Sequence, residues 1–432
     1  MSKDWLEKII ITVNQAVSAS PGGLRRYFSN TSWLLGGQAL SLVVSFFVGA
    51  WLARSLGPQD YGIFSYSLSF AGLFSMLASL GIDGILSRDL IKFPHKQASL
   101  LGSGLVIKLG GGLLAWLSAT AAAIYFIPSG LGQIIVSLIA LGYLLQSLNI
   151  IDIFFRSQVE SKFSVRAQSL AILLASAVKI YVVVYGYSLA WLAAAYSLEI
   201  LLFGLILVGS YRARRLPEAW VFDGKTVRYL LLSSWPLLFS GVASFFLLRL
   251  DQVMIGHYLT TEAVGLYAAG VKLSEVWYFL PGIIIASVFP ALVNGQTSNP
   301  GIYRKRLHYL YWLLGAVALT ISVIISLAAR PLIYWLFGEQ FILSSQSASI
   351  YAWSTIGWFL FSIWWYKLMT ENRLRLIFFS SLLLLAINVL LNIWFIPLYG
   401  ISGAAIATLV SYSSILVFII YSSVNENTTS NN

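Results

Sequence analysis

Four basic side chains lie inside long apolar stretches of this sequence: Lys108, Lys179, Arg249 and Lys272. A charged side chain at the centre of a membrane helix costs about 2.5–3.5 kcal/mol on insertion scales, so such residues commonly serve a function. They are expected to face the interior of a helix bundle or a water-filled cavity. There, Lys and Arg can donate charge-assisted hydrogen bonds to an anion. We therefore take these four bases as candidate binding residues.

Three acidic side chains, Glu199, Asp251 and Glu275, also lie inside the apolar stretches. Lys272 and Glu275 are three residues apart on one helical face and could neutralise each other. Asp251 is only two residues from Arg249 and points to another face, so Arg249 has no evident partner on its own helix. Four bases against three acids favour an anionic over a cationic ligand.

Other charged residues and prolines have competing explanations. Lys179 could extend its apolar stem towards the membrane surface instead of facing a cavity. Arg54 and His257, at the outer ends of predicted helices, are interpreted as anchors to lipid head groups rather than as ligands. Three prolines are either bending points of the helices or static kinks, and the sequence leaves both open: Pro236, Pro281 and Pro290.

No arrangement of residues in the sequence indicates catalysis or a metal site. The chain has no Cys, and its three His are scattered along it. The glycine run 110–112 lies within an apolar stretch and has no phosphate-binding loop around it, so close helix packing explains it better. We therefore expect no catalytic residues, no bound metal, no cofactor and no ATP hydrolysis by this chain.

The elements that must position these residues are membrane-spanning helices. The 432-residue chain is 58% hydrophobic and 10% charged, whereas soluble proteins carry about 25% charged residues. A spanning helix needs about 20 largely apolar residues. The sequence predicts an all-α polytopic membrane protein with about twelve such helices: 30–53, 61–82, 99–127, 131–153, 165–186, 188–210, 229–256, 263–291, 308–329, 346–369, 374–397 and 401–423.

The distribution of basic residues predicts the orientation. Most of the 27 Lys and Arg residues precede the first predicted helix or follow an even-numbered one, and an excess of Lys and Arg marks cytoplasmic loops. Both termini are therefore predicted to be cytoplasmic, in a multi-pass protein of the cell inner membrane. Topology and anionic lipids explain the net charge of +11, so no nucleic-acid partner is expected.

The longest predicted cytoplasmic connection divides the chain into two six-helix lobes. Segments 52–64 and 255–267 share a layout in which a helix, a basic residue and a short turn are followed by Gly and an aromatic residue. Such parallel repeats are typical of transporters. The predicted order is a cytoplasmic tail, the N-lobe, a linker, the C-lobe and a second cytoplasmic tail: 1–29, 30–210, 211–228, 229–423 and 424–432.

Five segments resemble one known family. They are the first helix pair around 30–33 and 52–62, and the second-half stretches 234–236, 249–256 and 274–281. Their sequences are similar to those of the oligosaccharide flippases, which form the polysaccharide transporter branch of the multidrug/oligosaccharidyl-lipid/polysaccharide exporter superfamily. The resemblance extends over nearly the whole chain. Its motifs are specific to the family but not to one substrate.

The resemblance implies two lobes around a central cavity that opens alternately to each side of the membrane. The implied function is transfer of a polyprenyl-pyrophosphate-linked oligosaccharide to the periplasmic leaflet for O-antigen or exopolysaccharide assembly. Membrane lipids are expected partners, and an association with polysaccharide polymerase machinery is left open. The implied ligands of the pyrophosphate or sugar are Arg249, Lys272, Lys108 and Lys179. The acids that the resemblance implies for charge pairing or ion coupling are Asp251, Glu275 and Glu199.

Two other functions remain as alternatives. A multidrug and toxin exporter of the same superfamily would favour a cavity dominated by carboxylates. A membrane-embedded oligosaccharide polymerase or ligase would need a long outer loop with catalytic residues, whereas the predicted outer connections, such as 128–130, are very short. The flippase interpretation is therefore preferred.

Overall fold

The computed structural model describes residues 23–214, 219–285, 300–371 and 373–419. Every regular element in these ranges is a helix. Short 3₁₀ turns at Ser75–Ala78, Pro94–Lys96, Gln146–Asn149 and Glu339–Phe341 connect some of the α-helices. The α-helices, numbered here in chain order, are α1 Gly23–Gly72, α2 Ile82–Lys92, α3 Gln97–Phe126, α4 Leu131–Leu145, α5 Ile150–Ser157, α6 Ser161–Val184, α7 Leu189–Ala213, α8 Gly224–Tyr258, α9 Thr261–Glu275, α10 Pro300–Phe337, α11 Ser344–Ala352, α12 Ser354–Thr370 and α13 Leu374–Ser413.

Nine helical segments within these described ranges are long and apolar enough to cross a membrane. Two of them contain two predicted spans each, because α1 folds back at Gly57 (φ 77°) and α13 at Gly400 (φ 60°). Glycine adopts such positive φ angles at little cost. The tenth predicted span is divided at Trp353 into α11 and α12. The predicted fold class, an all-α polytopic protein with about twelve spans, is confirmed.

Several predicted helix boundaries differ from those of the structure. Helix α1 begins at Gly23, inside the segment predicted as the N-terminal tail. Helix α8 continues past Pro236 to Tyr258 without a break. Helix α9 ends at Glu275, well before the predicted end at 291, and Pro290 lies outside the described residues. The division at 211–228 and the two terminal tails stay predictions.

The predicted second helix, 61–82, was wrong in its last turns. Helix α1 ends at Gly72, and a 3₁₀ turn and a bend precede α2. The bend places Leu80 at φ 46° and Gly81 at φ 74°. A Cβ atom on Gly81 would lie 2.7 Å from the backbone nitrogen of Leu238 in α8. The close approach of α8 therefore requires glycine here and replaces the expected straight helix.

The two halves of the chain are joined at the end of the bundle that carries Gly57, Thr260 and Gly338, here called the turn end. A Cβ atom on Gly62 would lie 1.8 Å from the carbonyl oxygen of Thr261. A Cβ atom on Gly265 would lie 2.0 Å from the carbonyl oxygen of Pro58. This pair of glycines, matched in the two repeat segments, lets the backbones of α1 and α9 touch.

The opposite end of the bundle, here called the basic end, contains the connections that the sequence predicts to be cytoplasmic. The N–H of Ser161 donates to the side chain of Asn30, and Arg88 donates to the hydroxyl of Tyr229. Asp223 accepts hydrogen bonds from the backbone N–H groups of Lys225 and Thr226 and so caps α8. The hydroxyl of Thr226 and these N–H groups lower the pKa of Asp223 below its usual range. The cap fixes the start of the helix that carries Arg249.

Candidate functional site

A cavity of about 460 Å³, here called the central cavity, lies between the two halves. Helices α1, α4, α6 and α7 form its wall on the first half, and α8 and α9 form its wall on the second half. Two tyrosines, Tyr143 and Tyr196, face it. The charged residues that line the central cavity are Lys179, Glu199, Arg249, Lys272 and Glu275.

Lys179 and Glu199 form a tight ion pair on the first half, here called the N-half pair. The Lys179 Nζ atom lies 2.5 Å from Glu199 Oε2. It also lies 3.7 Å from the ring centroid of Tyr196, which is three residues before Glu199 and on the same face of α7. The exposed fractions of the two side chains are 7% and 21%. Lys179 thus forms part of the wall of the central cavity and does not extend to the membrane surface.

Arg249 and Glu275 form a looser ion pair on the second half, here called the C-half pair. The Arg249 Nη1 atom lies 3.4 Å from Glu275 Oε2, which is long for a charge-assisted hydrogen bond. The second carboxylate oxygen, Oε1, is buried and has no hydrogen-bond partner among the described residues. The exposed fraction of Arg249 is 37%. This pair leaves hydrogen-bonding capacity on both side chains.

Lys272 lies between the two pairs, one helical turn before Glu275 on α9. Its Nζ atom occupies the space above Gly49 of α1, since a Cβ atom on Gly49 would lie 1.8 Å from it. None of the ion pairs formed within the described part of the chain includes Lys272. Glu275 lies close enough to attract Lys272 electrostatically, but its carboxylate forms its ion pair with Arg249. Among the described residues, three bases and two acids line this cavity and give it a net positive charge.

Two candidate residues lie away from the central cavity. Lys108 is buried and its Nζ atom lies 2.9 Å from Asp83 Oδ1, a partner that the sequence analysis missed. Asp251 is 3% exposed and accepts hydrogen bonds from the hydroxyl of Tyr267 at 2.5 Å and from the N–H of Gln252 at 2.7 Å. As predicted from its spacing, Asp251 points away from Arg249.

The two predicted head-group anchors lie near the turn end. The Arg54 guanidinium donates to the carbonyl oxygen of Trp335 at 3.1 Å, and the side chain of Gln340 donates to the carbonyl oxygen of Arg54 at 2.7 Å. Arg54 thus connects α1 to the second half of the chain. His257 is exposed, with its ring against Tyr258. A head-group contact stays a prediction for both residues.

No group of three or more His, Cys, Asp or Glu residues in the described ranges could hold a metal ion. The central cavity instead presents ammonium and guanidinium groups beside tyrosine rings. Bases of this kind recognise anionic groups, above all phosphates, through charge-assisted hydrogen bonds. Tyr143 and Tyr196 were also missed by the sequence analysis, because nothing in their local sequence distinguishes them from interfacial tyrosines.

Comparison with known proteins identifies the family. Residues 28–296 match the family model described as "Polysaccharide biosynthesis protein", which is more than half of the chain. The chain belongs to this family. An uncharacterized membrane protein of Haemophilus influenzae is 26% identical over 272 residues, which are 61% of this chain. The match spans 63% of the length of that relative.

Two solved structures of membrane transport proteins share the fold. An inward-facing multidrug resistance MATE family transporter of the MOP superfamily superposes with a TM-score of 0.69 at 13% identity, covering 90% of this chain and 96% of that chain. The lipid II flippase MurJ in an inward closed conformation gives a TM-score of 0.67 at 15% identity, covering 92% and 87%. These matches show that the chain has the fold that the sequence resemblance implied. The family match and the apolar helices make the chain a multi-pass membrane protein of the polysaccharide biosynthesis family.

Proposed function

We propose that this chain is a flippase for a polyprenyl-pyrophosphate-linked oligosaccharide. It would carry this lipid from the cytoplasmic to the periplasmic leaflet of the inner membrane, for surface polysaccharide assembly such as O-antigen or exopolysaccharide. The observation that carries the proposal is the unpaired Lys272 between two ion pairs in a cavity of about 460 Å³. Membership of the polysaccharide biosynthesis family supports the substrate class.

The charge arrangement of the central cavity suits a pyrophosphate. This group cannot cross hydrocarbon unaided, because burying its charges without partners is very costly. Lys272 offers three N–H donors that no described carboxylate engages, and Arg249 can exchange its long bond to Glu275 for a bidentate bond to phosphate. The oligosaccharide would follow its pyrophosphate through the interior, while the polyprenyl chain stays in the surrounding lipid.

The contacts between the halves suggest how access is controlled. At the turn end, the glycine pair Gly62 and Gly265 brings backbones into contact, and Arg54 bonds to Trp335. In the proposed cycle these contacts close the periplasmic side while the substrate enters from the cytoplasmic side. Their separation would open the central cavity to the periplasm. Asp251, buried and bonded to Tyr267, is the proposed ion-coupling group.

The rival functions fit the cavity less well. A cationic drug would favour a negatively charged cavity, yet both acids among the described lining residues, Glu199 and Glu275, are paired with bases, and Lys272 adds a further positive charge. An oligosaccharide polymerase or ligase would need a catalytic outer segment. The described connections at the turn end, such as 127–130 and 259–260, are too short to hold one.

The proposed function is tested by deleting the gene and measuring the lipid-linked oligosaccharide of each leaflet. Build-up on the cytoplasmic side, reversed by the wild-type chain, is expected. Complementation with Lys272→Gln should restore less than about a tenth of the transport rate. Lys225→Gln, which removes an exposed lysine at the basic end, should restore all of it. Normal transfer in the deletion strain, with unpolymerised units accumulating outside, would contradict the proposal.

A further inference from the structure

A second cavity, here called the aromatic cavity, lies between the central cavity and the basic end. Its volume is about 510 Å³. Aromatic rings from α8 and α12 form one side of it, and the broken region between α1 and α2 forms the other. The aromatic residues that line it are Phe245, Trp358, Phe361, Trp365 and Tyr366. None of the candidate bases or acids chosen from the sequence lines this cavity.

The polar lining of the aromatic cavity is uncharged overall. It consists of hydroxyl groups, the amide of Gln146 and the carboxylate of Asp83. The side chain of Asp83 is 48% exposed. Its charge is balanced by Lys108, whose side chain is 3% exposed and whose Nζ atom lies 2.9 Å from Asp83 Oδ1. The buried lysine thus neutralises the acid, while the exposed part of the carboxylate can still accept hydrogen bonds from a ligand.

The two cavities follow one another along shared helix faces. Tyr143 lines the central cavity, and Gln146, three residues later, lines the aromatic one. Arg249 lines the central cavity, and Phe245, four residues earlier, lines the aromatic one. At about 1.5 Å of rise per residue, the two positions of each pair are only about 4.5–6 Å apart along the helix axis. A ligand with its anionic group beside Arg249 would therefore have the lining of the aromatic cavity within about one helical turn.

The local backbone supports a functional role for the aromatic cavity. Leu80, at φ 46°, adopts a left-handed conformation that costs a residue with a side chain about 1 kcal/mol or more. The hydroxyl of Ser234 donates to the carbonyl oxygen of Leu80 at 3.0 Å and holds the bend in place. The bend ends the straight helix and starts α2 at Ile82, so that Asp83 in its first turn faces the rings of α12.

We propose that the aromatic cavity binds the glycan of the lipid-linked substrate. This inference rests on the proposed function and adds the position and chemistry of a sugar subsite. Sugar rings carry C–H groups that pack on the faces of aromatic rings, and hydroxyls that donate to carboxylates and amides. Trp365 is half-buried at the cavity wall and supplies the stacking face, and Asp83 and Gln146 accept hydroxyl hydrogens.

Other occupants of the aromatic cavity fit less well. A polyprenyl chain gains nothing from a carboxylate, an amide and several hydroxyls, whose desolvation would oppose its binding. A cationic drug would favour an aromatic cage with a free carboxylate, but the charge of Asp83 is already neutralised by Lys108. Trp358 is held by its own contacts, since its ring stacks on Tyr278 at 4.8 Å. Trp365 is therefore the residue to change.

The test compares two probes on the purified full-length protein in nanodiscs. One probe is undecaprenyl pyrophosphate, which has no sugar, and the other is the lipid-linked oligosaccharide that accumulates in cells lacking this chain. Trp365→Ala should weaken binding of the sugar-bearing probe about tenfold and leave the bare pyrophosphate unchanged. Trp365→Phe, which keeps an aromatic face, should weaken binding of the sugar-bearing probe about threefold or less. Lys272→Gln should weaken both probes to a similar extent.

Two further variants serve as controls, one for the loss of a tryptophan elsewhere and one for misfolding of Trp365→Ala. Trp394→Ala removes a tryptophan that is 70% exposed outside the cavities and should leave both affinities unchanged. If Trp365→Ala does not fold, the double variant Asp83→Asn with Lys108→Met removes the acceptor and its buried counter-charge together. It should reproduce the selective loss for the sugar-bearing probe.

The possible results distinguish failure of the glycan subsite from failure of the proposed flippase function. Equal weakening of both probes by Trp365→Ala, or no weakening of either, would overturn the glycan subsite and leave the flippase proposal standing. Failure of the wild-type chain to bind either probe would overturn both. Selective loss of ethidium binding in Trp365→Ala, with the sugar-bearing probe unaffected, would make the aromatic cavity a cation site and refute the proposal.

Discussion

The two ion pairs of the central cavity differ in how completely their charges are satisfied. In the N-half pair the charged atoms are 2.5 Å apart, and the Tyr196 ring covers Lys179. In the C-half pair the atoms are 3.4 Å apart, and one oxygen of Glu275 has no hydrogen-bond partner among the described residues. The first pair is closely bonded and shielded by a ring, whereas the second leaves a carboxylate oxygen without a partner among the described residues.

The difference indicates separate roles for bases that are alike in the sequence. Removing one partner of a buried, satisfied pair leaves a charge without compensation and costs about 3–5 kcal/mol of stability. A pair that is more exposed contributes about 1 kcal/mol or less. The N-half pair is therefore expected to stabilise the cavity wall, and the C-half pair, with Lys272, to bind the substrate.

The largest expected effect is on stability. Glu199→Leu should lower the free energy of unfolding by about 3 kcal/mol, because it leaves Lys179 buried without an acceptor. Glu275→Leu should lower it by about 1 kcal/mol or less, because Arg249 is 37% exposed and can be hydrated. Both values are obtained from denaturant unfolding of the purified chain in mixed micelles.

The double variant Lys179→Met with Glu199→Leu is the matched control for this loss. It removes both charges and keeps the volume of the side chains, so it should recover most of the lost stability. Equal destabilisation by Glu199→Leu and Glu275→Leu would show that the two pairs do not differ as their geometry indicates.

The sequence was sufficient to predict the fold because each spanning helix depends on a local property. Long apolar runs and the placement of basic residues are independent of tertiary contacts. The interrupted helices were not predictable in this way. The break at 73–81 depends on the approach of α8 to Gly81, and no local signal in the apolar run marks it.

The partners of the buried charges also could not be predicted from local spacing. Lys272 and Glu275 are three residues apart on α9, yet the carboxylate bonds to Arg249 on α8 and Lys272 lies against α1. Lys108 pairs with Asp83 across 25 positions of the chain. Helical spacing indicates which side chains share a face, but the packing of neighbouring helices decides which charges meet.

The second prediction concerns transport. Arg249→Gln should lower the initial rate of lipid-linked oligosaccharide transport in proteoliposomes by about 10- to 100-fold, the loss expected for a hydrogen bond to a charged ligand. The transport rate of Arg249→Lys should lie between those of the wild type and Arg249→Gln, because lysine keeps the charge but cannot form the planar bidentate bond. Arg249→Lys should change stability little, because lysine keeps the counter-charge of Glu275.

The N-half pair provides the contrast for this transport measurement. The double variant Lys179→Met with Glu199→Leu should transport within about threefold of the wild-type rate. In the wild-type chain these two charges bond to each other, so the substrate does not depend on them. If this variant loses as much activity as Arg249→Gln, the substrate must contact both walls. The assignment of separate roles to the two pairs would then be wrong.

The smallest expected effect comes from moving one ammonium group without changing any charge. The Lys272 Nζ atom lies where a Cβ atom of residue 49 would be, so Gly49→Ala must displace it. The end of a flexible lysine moves at little cost, and stability should be unchanged. The affinity for undecaprenyl pyrophosphate should fall about three- to fivefold, because binding depends on the position of the donor. Gly36→Ala, on the same helix, is the matched control and should bind normally, because no side chain or neighbouring helix of the described residues lies within 4 Å of a Cβ atom there. Unaltered binding by Gly49→Ala would mean that the ligand does not contact Lys272 where it now lies, and the C-half pair would have to bind the anion alone.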